Sequence, residues 1–382
     1  MKKTAFLLLS LCCIFSTVNA QNISGKWYGT SHVGAHTLRI IFDISQEEER
    51  LSAKMQSPDQ SPAWIDAHSV ELKNDTLNIR IPHIGLAYQG VVLPDNQIEG
   101  SFSQGGATFS LNLSREEIIR NRPQTPRPKF PYTIEDVTFR NEKAGIDLSG
   151  TLTIPWQGKA PYPAVILVSG SGPQDRDETL FEHKPFWVIA DYLTQNGIAV
   201  LRYDDRGFGE SEGVHNLATT LDLAEDALAG IEYLRSRPEI ATGKVGLAGH
   251  SEGGLIAFVL AAQGKTDFIL SLAGPGLPGS EILARQNADA AKAAGAPENY
   301  VTELYSTLRD ALEIIATIGN SNERKEKITA RFAGTPLETN TEQWYAAMTS
   351  PWMYTFLRTD PAEFLPSVNC PVWAVIGEKD LQ

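Results

Sequence analysis

The clearest chemical signal in the chain is Gly249-His250-Ser251-Glu252-Gly253, which follows the apolar run Val245 to Ala248 and precedes a helix-like stretch, Gly254 to Gln263. A serine between glycines at a strand-to-helix junction reads as a nucleophile elbow. The turn is tight and strained, and a side chain on either flank would strike neighbouring backbone. A serine presented this way can attack a carbonyl carbon and carry an acyl group covalently. The alternative, an ordinary glycine-rich loop, would need neither the strand before it nor the helix and Gly254 behind it.

A second signal stands at the end of an earlier strand: Val168-Ser169-Gly170-Ser171-Gly172-Pro173, with Gln174-Asp175-Arg176-Asp177 behind it. Such a loop can offer a main-chain N–H to the oxyanion that forms when a serine attacks, and the residue after the serine can offer another. The expected donors are the N–H groups of Ser171 and Glu252, with Gly249, His250, Gly253, Gly170 and Gly172 as supporting positions. The loop lacks the Lys-Ser/Thr of a P-loop and the GxGxxG spacing, which argues against phosphate binding. A third segment, Tyr203-Asp204-Asp205-Arg206-Gly207-Phe208-Gly209-Glu210-Ser211, reads as a charged turn with an internal ion pair and a structural role.

These residues need rigid elements to hold them, and the composition can supply them. Of 382 residues, 42% are hydrophobic and 21% charged, enough apolar material for real cores. The net charge of -13 argues against a nucleic-acid partner, because a phosphate-binding surface needs clustered Lys and Arg. No CxxC, HExxH or EF-hand pattern occurs, so no metal site is expected.

Lys2 and Lys3 precede an apolar run, Ala5 to Val18, and Val18-Asn19-Ala20 ends in small residues, the form of a secretory signal peptide cleaved after Ala20. The run is short for a membrane span. The expectation is an exported protein, periplasmic or extracellular, with no membrane attachment after cleavage. Cys12 and Cys13 lack the small preceding residue that lipid attachment requires. Cleavage would remove both and leave Cys370 alone, so no internal disulfide is expected.

From residue 21 to about 114 the chain reads as short alternating segments separated by turns. These are Gly25 to Thr30, Thr37 to Ile44, Leu51 to Met55, Val70 to Leu72, Leu77 to Ile81, Tyr88 to Leu93, Ile98 to Ser103 and Thr108 to Leu113. That is the grammar of a small antiparallel all-β domain, with hairpin turns at Pro94-Asp95-Asn96-Gln97 and Gln104-Gly105-Gly106. Residues 115–133, rich in proline, read as a linker.

From 134 onward the runs Ala164 to Val168, Ala199 to Arg202, Val245 to Ala248, Phe268 to Leu272 and Val372 to Ile376 are apolar throughout. They alternate with helical stretches such as Leu221 to Arg235. This predicts an α/β domain with a buried, mostly parallel, doubly wound sheet. Between about 275 and 366 the sequence turns helical, in Ile282 to Ala294, Tyr300 to Ile318 and Thr341 to Phe356. A helical insertion placed between two sheet strands suggests a lid over the strand ends.

With these motifs together, the chain resembles the serine α/β-hydrolase superfamily. It is most similar to a secreted bacterial group with SGSGPQDRDE after the third strand and an N-terminal β domain. Gly25-Lys26-Trp27 and Met55-Gln56-Ser57-Pro58-Asp59-Gln60 also look like that group. The resemblance covers nearly the whole chain after the leader and implies an acyl-enzyme mechanism without a cofactor, of carboxylesterase or serine-aminopeptidase type. Ser169 stands where many members carry His. The superfamily's order of serine, acid, histidine matches Asp380 to the acid position, in Val375-Ile376-Gly377-Glu378-Lys379-Asp380, with Glu378 as the alternative.

No histidine follows Asp380, and His250 is the last in the sequence. The reading is therefore that the C-terminal strand, helix and base-bearing loop are missing, and that the 382-residue chain turns over little substrate. His183 and His215 lie on loops that could approach the site. Three functions stay open. The first is a carboxylic ester hydrolase acting on a small-molecule ester. The second is an exopeptidase that anchors a peptide's free amine on Glu210, Glu212 or Asp177. The third is a secreted binding protein on an inactive hydrolase scaffold. Oligomeric state stays open too.

Overall fold

The computed structural model describes residues 22–33, 36–48, 50–60 and 63–380; the predicted leader, with Cys12 and Cys13, lies outside them. The chain forms two compact units that divide between Asn121 and Arg122.

The first unit is an antiparallel sheet of ten strands: β1 (Gly25–Val33), β2 (His36–Glu47), β3 (Arg50–Gln56), β4 (Ile65–Asp66), β5 (Ser69–Lys73), β6 (Thr76–Ile81), β7 (Leu86–Val92), β8 (Gln97–Gln104), β9 (Ala107–Ser110) and β10 (Leu113–Ser114). The strands run β4-β3-β2-β1-β10-β8-β7-β6-β5, with β9 on β8. Alternation decides which face closes. Along β7, Leu86, Tyr88, Gly90 and Val92 are buried while the residues between them face solvent. Trp27, Phe42, Ile44, Leu77, Ile79, Ile81, Tyr88 and Ile98 fill the interior. The turns behave as their residues dictate: Asn96 has φ 59°, and Gly105 and Gly106 have φ 60° and 82°. The predicted strand Thr108 to Leu113 is in fact two, β9 and β10.

The second unit opens with two antiparallel strands, β11 (Tyr132–Asn141) and β12 (Ile146–Pro155). It continues with β13 (Tyr162–Val168), α1 (Pro185–Gln195), β14 (Ala199–Tyr203), α2 (Thr220–Ser236), β15 (Ile240–His250), α3 (Glu252–Ala262) and β16 (Ile269–Leu272). The helical insertion follows as α4 (Gly279–Ala293), α5 (Glu298–Thr317), α6 (Ser321–Phe332), α7 (Thr341–Met348), α8 (Pro351–Arg358) and α9 (Pro361–Phe364), and then β17 (Val372–Val375). The sheet order is β11-β12-β14-β13-β15-β16-β17, parallel from β14 to β17.

Strands apolar on both faces must be covered twice. Ala164, Ile166 and Val168 pack with α2 and α3, whereas Val165 and Leu167 pack with Phe186 and Ala190 of α1. The α3 helix is buried along nearly its whole surface, which suits the element behind a reactive turn. The α2 helix starts on a capping box between Thr219 and Asp222.

The insertion has its own core around Leu308, Ala311, Leu312, Ile315, Ile328, Phe332 and Leu357. Two expectations change here. The stretch Thr341 to Phe356 breaks into α7 and α8, because Ser350 caps a new helix with Pro351 in its first turn. The α6 helix, absent from the sequence reading, buries only Arg324, Ile328 and Phe332, a stripe too narrow to stand out. A third expectation is corrected: Val372 to Ile376 is not buried. Val372, Trp373, Val375 and Ile376 are 46%, 65%, 41% and 69% exposed, and among the described residues β17 pairs with β16 and no other strand.

Candidate active site

The β15 strand ends at His250 and α3 begins at Glu252, so Ser251 alone makes the reversal, at φ 50° and ψ −116°. That conformation is costly for a residue with a Cβ, and several contacts hold it. Ser251 N–H donates to Leu272 O on β16 at 2.9 Å, and Gly254 N–H donates to Ser251 O at 2.8 Å. A Cβ on Gly249 would lie 1.9 Å from Gly253 O, and one on Gly253 would lie 2.2 Å from Val168 O. Strand and helix approach too closely for any side chain at either flank.

The loop after β13 lies directly over this turn. A Cβ on Gly170 would come within 3.3 Å of Ser251 Cβ and 3.2 Å of His250 Nδ1. Gly170 N–H donates to Glu178 Oε1 at 2.8 Å, and that same oxygen lies 2.7 Å from His250 Nδ1. A carboxylate only accepts, so Nδ1 carries the proton in this pair. The hydrogen bond with Glu178 raises the His250 pKa; burial opposes it, and the charges of Glu178 and then Asp380 add to the rise. The main-chain N–H groups of Ser171 and Glu252, by contrast, have no acceptor among the described residues. Two N–H donors, one in the loop after β13 and one at the start of α3, thus have no acceptor among the described residues, and the Gly170 donor is used.

Buried acids brace both segments. Asp205 accepts from Ser169 Oγ on both carboxyl oxygens at 2.9 Å, and from Gln174 N–H at 2.9 Å, so one side chain clasps the loop before and after Gly170 and Ser171. Burial pushes the Asp205 carboxyl up to about 8, with the charges of Asp226 and Glu252 adding to the effect. Arg176 bridges to Asp204 at 2.7 Å, and Arg206 reaches Asp226 at 2.6 Å. The charged turn is therefore an ion-pair frame behind the loop. The Glu252 carboxyl is 1% exposed and takes a hydrogen bond from Thr220 Oγ1 at 2.7 Å. Burial raises its pKa, against the pull of its donors.

The other sequence candidates are placed less centrally. Asp380 follows β17 in an exposed turn closed by its own N–H to Gly377 O at 3.0 Å, and its charge is felt at His250. His183 pairs with Leu180 in a short bridge. His215 is buried, and its Nε2 has no partner among the described residues. Asp177 is 9% exposed and engaged by Arg202 and Lys184, which removes it as an anchor for a substrate amine. Gly172 has φ 88° with open space around it. Glu178, Trp352 and Thr220 escaped the sequence reading; Glu178 closes the SGSGPQDRDE run, but nothing local distinguishes a buried loop acid from a solvated one.

Comparison with known proteins gives the same picture of the second unit. Residues 184–347 match the family described as Serine aminopeptidase, S33. The chain is 27% identical over 286 residues to esterase EstD of Thermotoga maritima, covering 74% of this chain and 63% of EstD. It is 35% identical over 96 residues to esterase FrsA of Yersinia pestis, covering 25% of this chain and 21% of FrsA. The chain therefore spans less than two thirds of the length of either relative. A hypothetical protein from Pseudomonas aeruginosa is similar in structure, with a TM-score of 0.43 and 16% identity over 69% of this chain and 83% of that one. The sheet order, the reversal at Ser251 and the family match lead to one assignment: the second unit has the α/β-hydrolase fold, and the chain is similar to serine hydrolases of that superfamily.

Proposed function

We propose that the protein is a carboxylic ester hydrolase that works through an acyl-enzyme on Ser251. The observation that carries this reading is the turn itself: a serine at φ 50° between β15 and α3, with the main-chain N–H groups of Glu252 and Ser171 without an acceptor among the described residues. Ser251 Oγ attacks the ester carbonyl carbon and its proton passes to a base. Ser171 and Glu252 direct their N–H groups at the oxyanion, the C–O bond to the alcohol breaks as the base returns the proton to the leaving oxygen, and water, deprotonated by the same base, attacks the acyl-enzyme to release the acid and restore the Ser251 hydroxyl. Gly170 contributes no N–H, because Glu178 holds it. Asp380 is the acid of the triad in this reading, since it follows the strand after the insertion.

The esterase names of EstD and FrsA favour a small-molecule ester over a peptide. An exopeptidase would need a carboxylate for the substrate amine; Asp177 is engaged by Arg202 and Lys184, while Glu210 and Glu212 are exposed and accept from Ser149 Oγ and Asp147 N–H. Export through the leader belongs to the same proposal and is checked by N-terminal sequencing of the protein from its host.

The test uses protein expressed from its own gene. p-Nitrophenyl acetate should be hydrolysed with an acylation burst, and Ser251→Ala should abolish both the burst and labelling by a fluorophosphonate. Aminoacyl-p-nitroanilides should turn over far more slowly than the ester. Ester hydrolysis that survives Ser251→Ala overturns the assignment.

A further inference from the structure

The Glu252 carboxyl collects two hydrogen-bond donors from two different parts of the unit. Thr220 Oγ1, at the start of α2, donates at 2.7 Å. Trp352 Nε1, on α8 of the insertion, lies 2.8 and 3.0 Å from the two carboxyl oxygens. In the mechanism above, the same Glu252 supplies one oxyanion N–H through its main chain. One buried carboxyl thereby joins the residue that carries that donor to α2 and to a helix of the insertion.

The attachment of α8 is well defined. Trp352 stacks on Phe356 with ring centroids 5.9 Å apart and planes at 19°. The Phe356 carbonyl presses on Gly279 at the start of α4, where a Cβ would lie 2.4 Å away. Placing an acid under an oxyanion site is costly for an enzyme that must stabilise negative charge there. Stability alone would be served as well by an apolar side chain in that position. The connectivity supplies a reason for the acid: it is an acceptor that α2 and α8 share.

We propose that Glu252 and Trp352 are positioning residues that couple the seating of α8 to the geometry of the oxyanion hole. When α8 is seated, the indole N–H holds the Glu252 side chain, which aligns the Glu252 N–H. When α8 moves away, the carboxyl loses that donor and the Glu252 N–H loses its reference. The insertion thus licenses the chemistry. This rests on Ser251 being the nucleophile.

The experiment compares Trp352→Phe, Glu252→Ala and Glu252→Gln in protein from its own gene, with Ser251→Ala as reference. It measures kcat and KM for p-nitrophenyl acetate, and the rate of phosphorylation by diethyl p-nitrophenyl phosphate. Trp352→Phe keeps the ring and removes the N–H donor, so kcat and the phosphorylation rate should both fall about tenfold while KM stays within about threefold. Glu252→Ala should lose more, about 10² in kcat. Glu252→Gln keeps a carbonyl acceptor for Trp352 and an amide donor for the Thr220 hydroxyl, and should recover most of that loss. Variants whose thermal midpoints fall but whose folded fraction keeps the parental kcat would reduce the network to a structural one and overturn the proposal. A rise in KM at unchanged kcat would do the same, by making Trp352 a substrate contact. Activity that persists in Ser251→Ala would instead remove the nucleophile assignment, and this inference with it.

Discussion

Asp205 offers the sharpest quantitative test of how the loop after β13 is held. It is 7% exposed and clasps Ser169 and Gln174, and its carboxyl is pushed from the ordinary 3.8 up to about 8 by burial and by the neighbouring charges of Asp226 and Glu252. Between those two values the unfolded chain carries an ionised Asp205 while the folded chain keeps it protonated. The folded state binds the extra proton, so stability falls as pH rises, by about 1.4 kcal/mol per pH unit for this group. The contribution is complete below the ordinary value and is lost as pH climbs through about 8. Asp205→Asn is a neutral mimic that can still accept from Gln174 N–H and can donate to Ser169 Oγ, and it removes the titration. Urea unfolding of both proteins at a series of pH values isolates the term, because every other group cancels in the difference. Relative to Asp205→Asn, the parent should lose a few kcal/mol between pH 5 and pH 7 and show a plateau above about pH 8. A difference that stays flat across that window would mean that Asp205 is ionised in the fold, and the account of a protonated clasp would be wrong.

Three further outcomes follow from the same contacts. Gly253→Ala places a methyl 2.2 Å from Val168 O, a backbone clash that no rotamer relieves; it should cost upwards of about 2 kcal/mol in thermal or urea unfolding, and a near-neutral result would refute the packing argument. Glu178→Gln should move the His250 titration, followed by NMR, to lower pH, because the hydrogen bond with the Glu178 carboxylate is what raises it. That pair stabilises the fold below the ordinary histidine value of 6.5 and ceases to do so as pH rises through the raised one, so the variant should lose its deficit towards alkaline pH; an unmoved titration would show the pair to be unimportant. In the β unit, Arg39 and Asp59 are 8% and 4% exposed and bridge at 2.8 Å, so Arg39→Ala should destabilise by about 3 kcal/mol, measured by denaturation; a loss under about 0.5 kcal/mol would show that Arg120, 2.9 Å from Asp59, already compensates.

What the sequence settles by itself are features written in near neighbours along the chain. The glycines around Ser251 identify the reversal because strand, serine and helix are contiguous, and a flank Cβ is excluded by backbone only a few residues away, Gly253 O against Gly249. The strands of the β unit show because burial alternates with period two, and those of the second unit because both their faces are covered. Helix α6 was illegible because three buried side chains in twelve residues leave no contrast. The exposure of β17 was illegible because an apolar run does not say whether a sheet has a neighbour on its far side.

The bracing of the site was decided by tertiary structure alone. Glu178 meets His250 across 72 positions, Asp205 reaches Ser169 across 36, and Trp352 finds Glu252 across 100. The distinction between Gly170, whose N–H is spent, and Ser171, whose N–H has no acceptor among the described residues, depends on a carboxylate arriving from Glu178. Acids in a loop look alike in one dimension. Their chemistry comes from which donors the fold brings to them and how much water it takes away, and both are set by the packing of segments far apart in the chain.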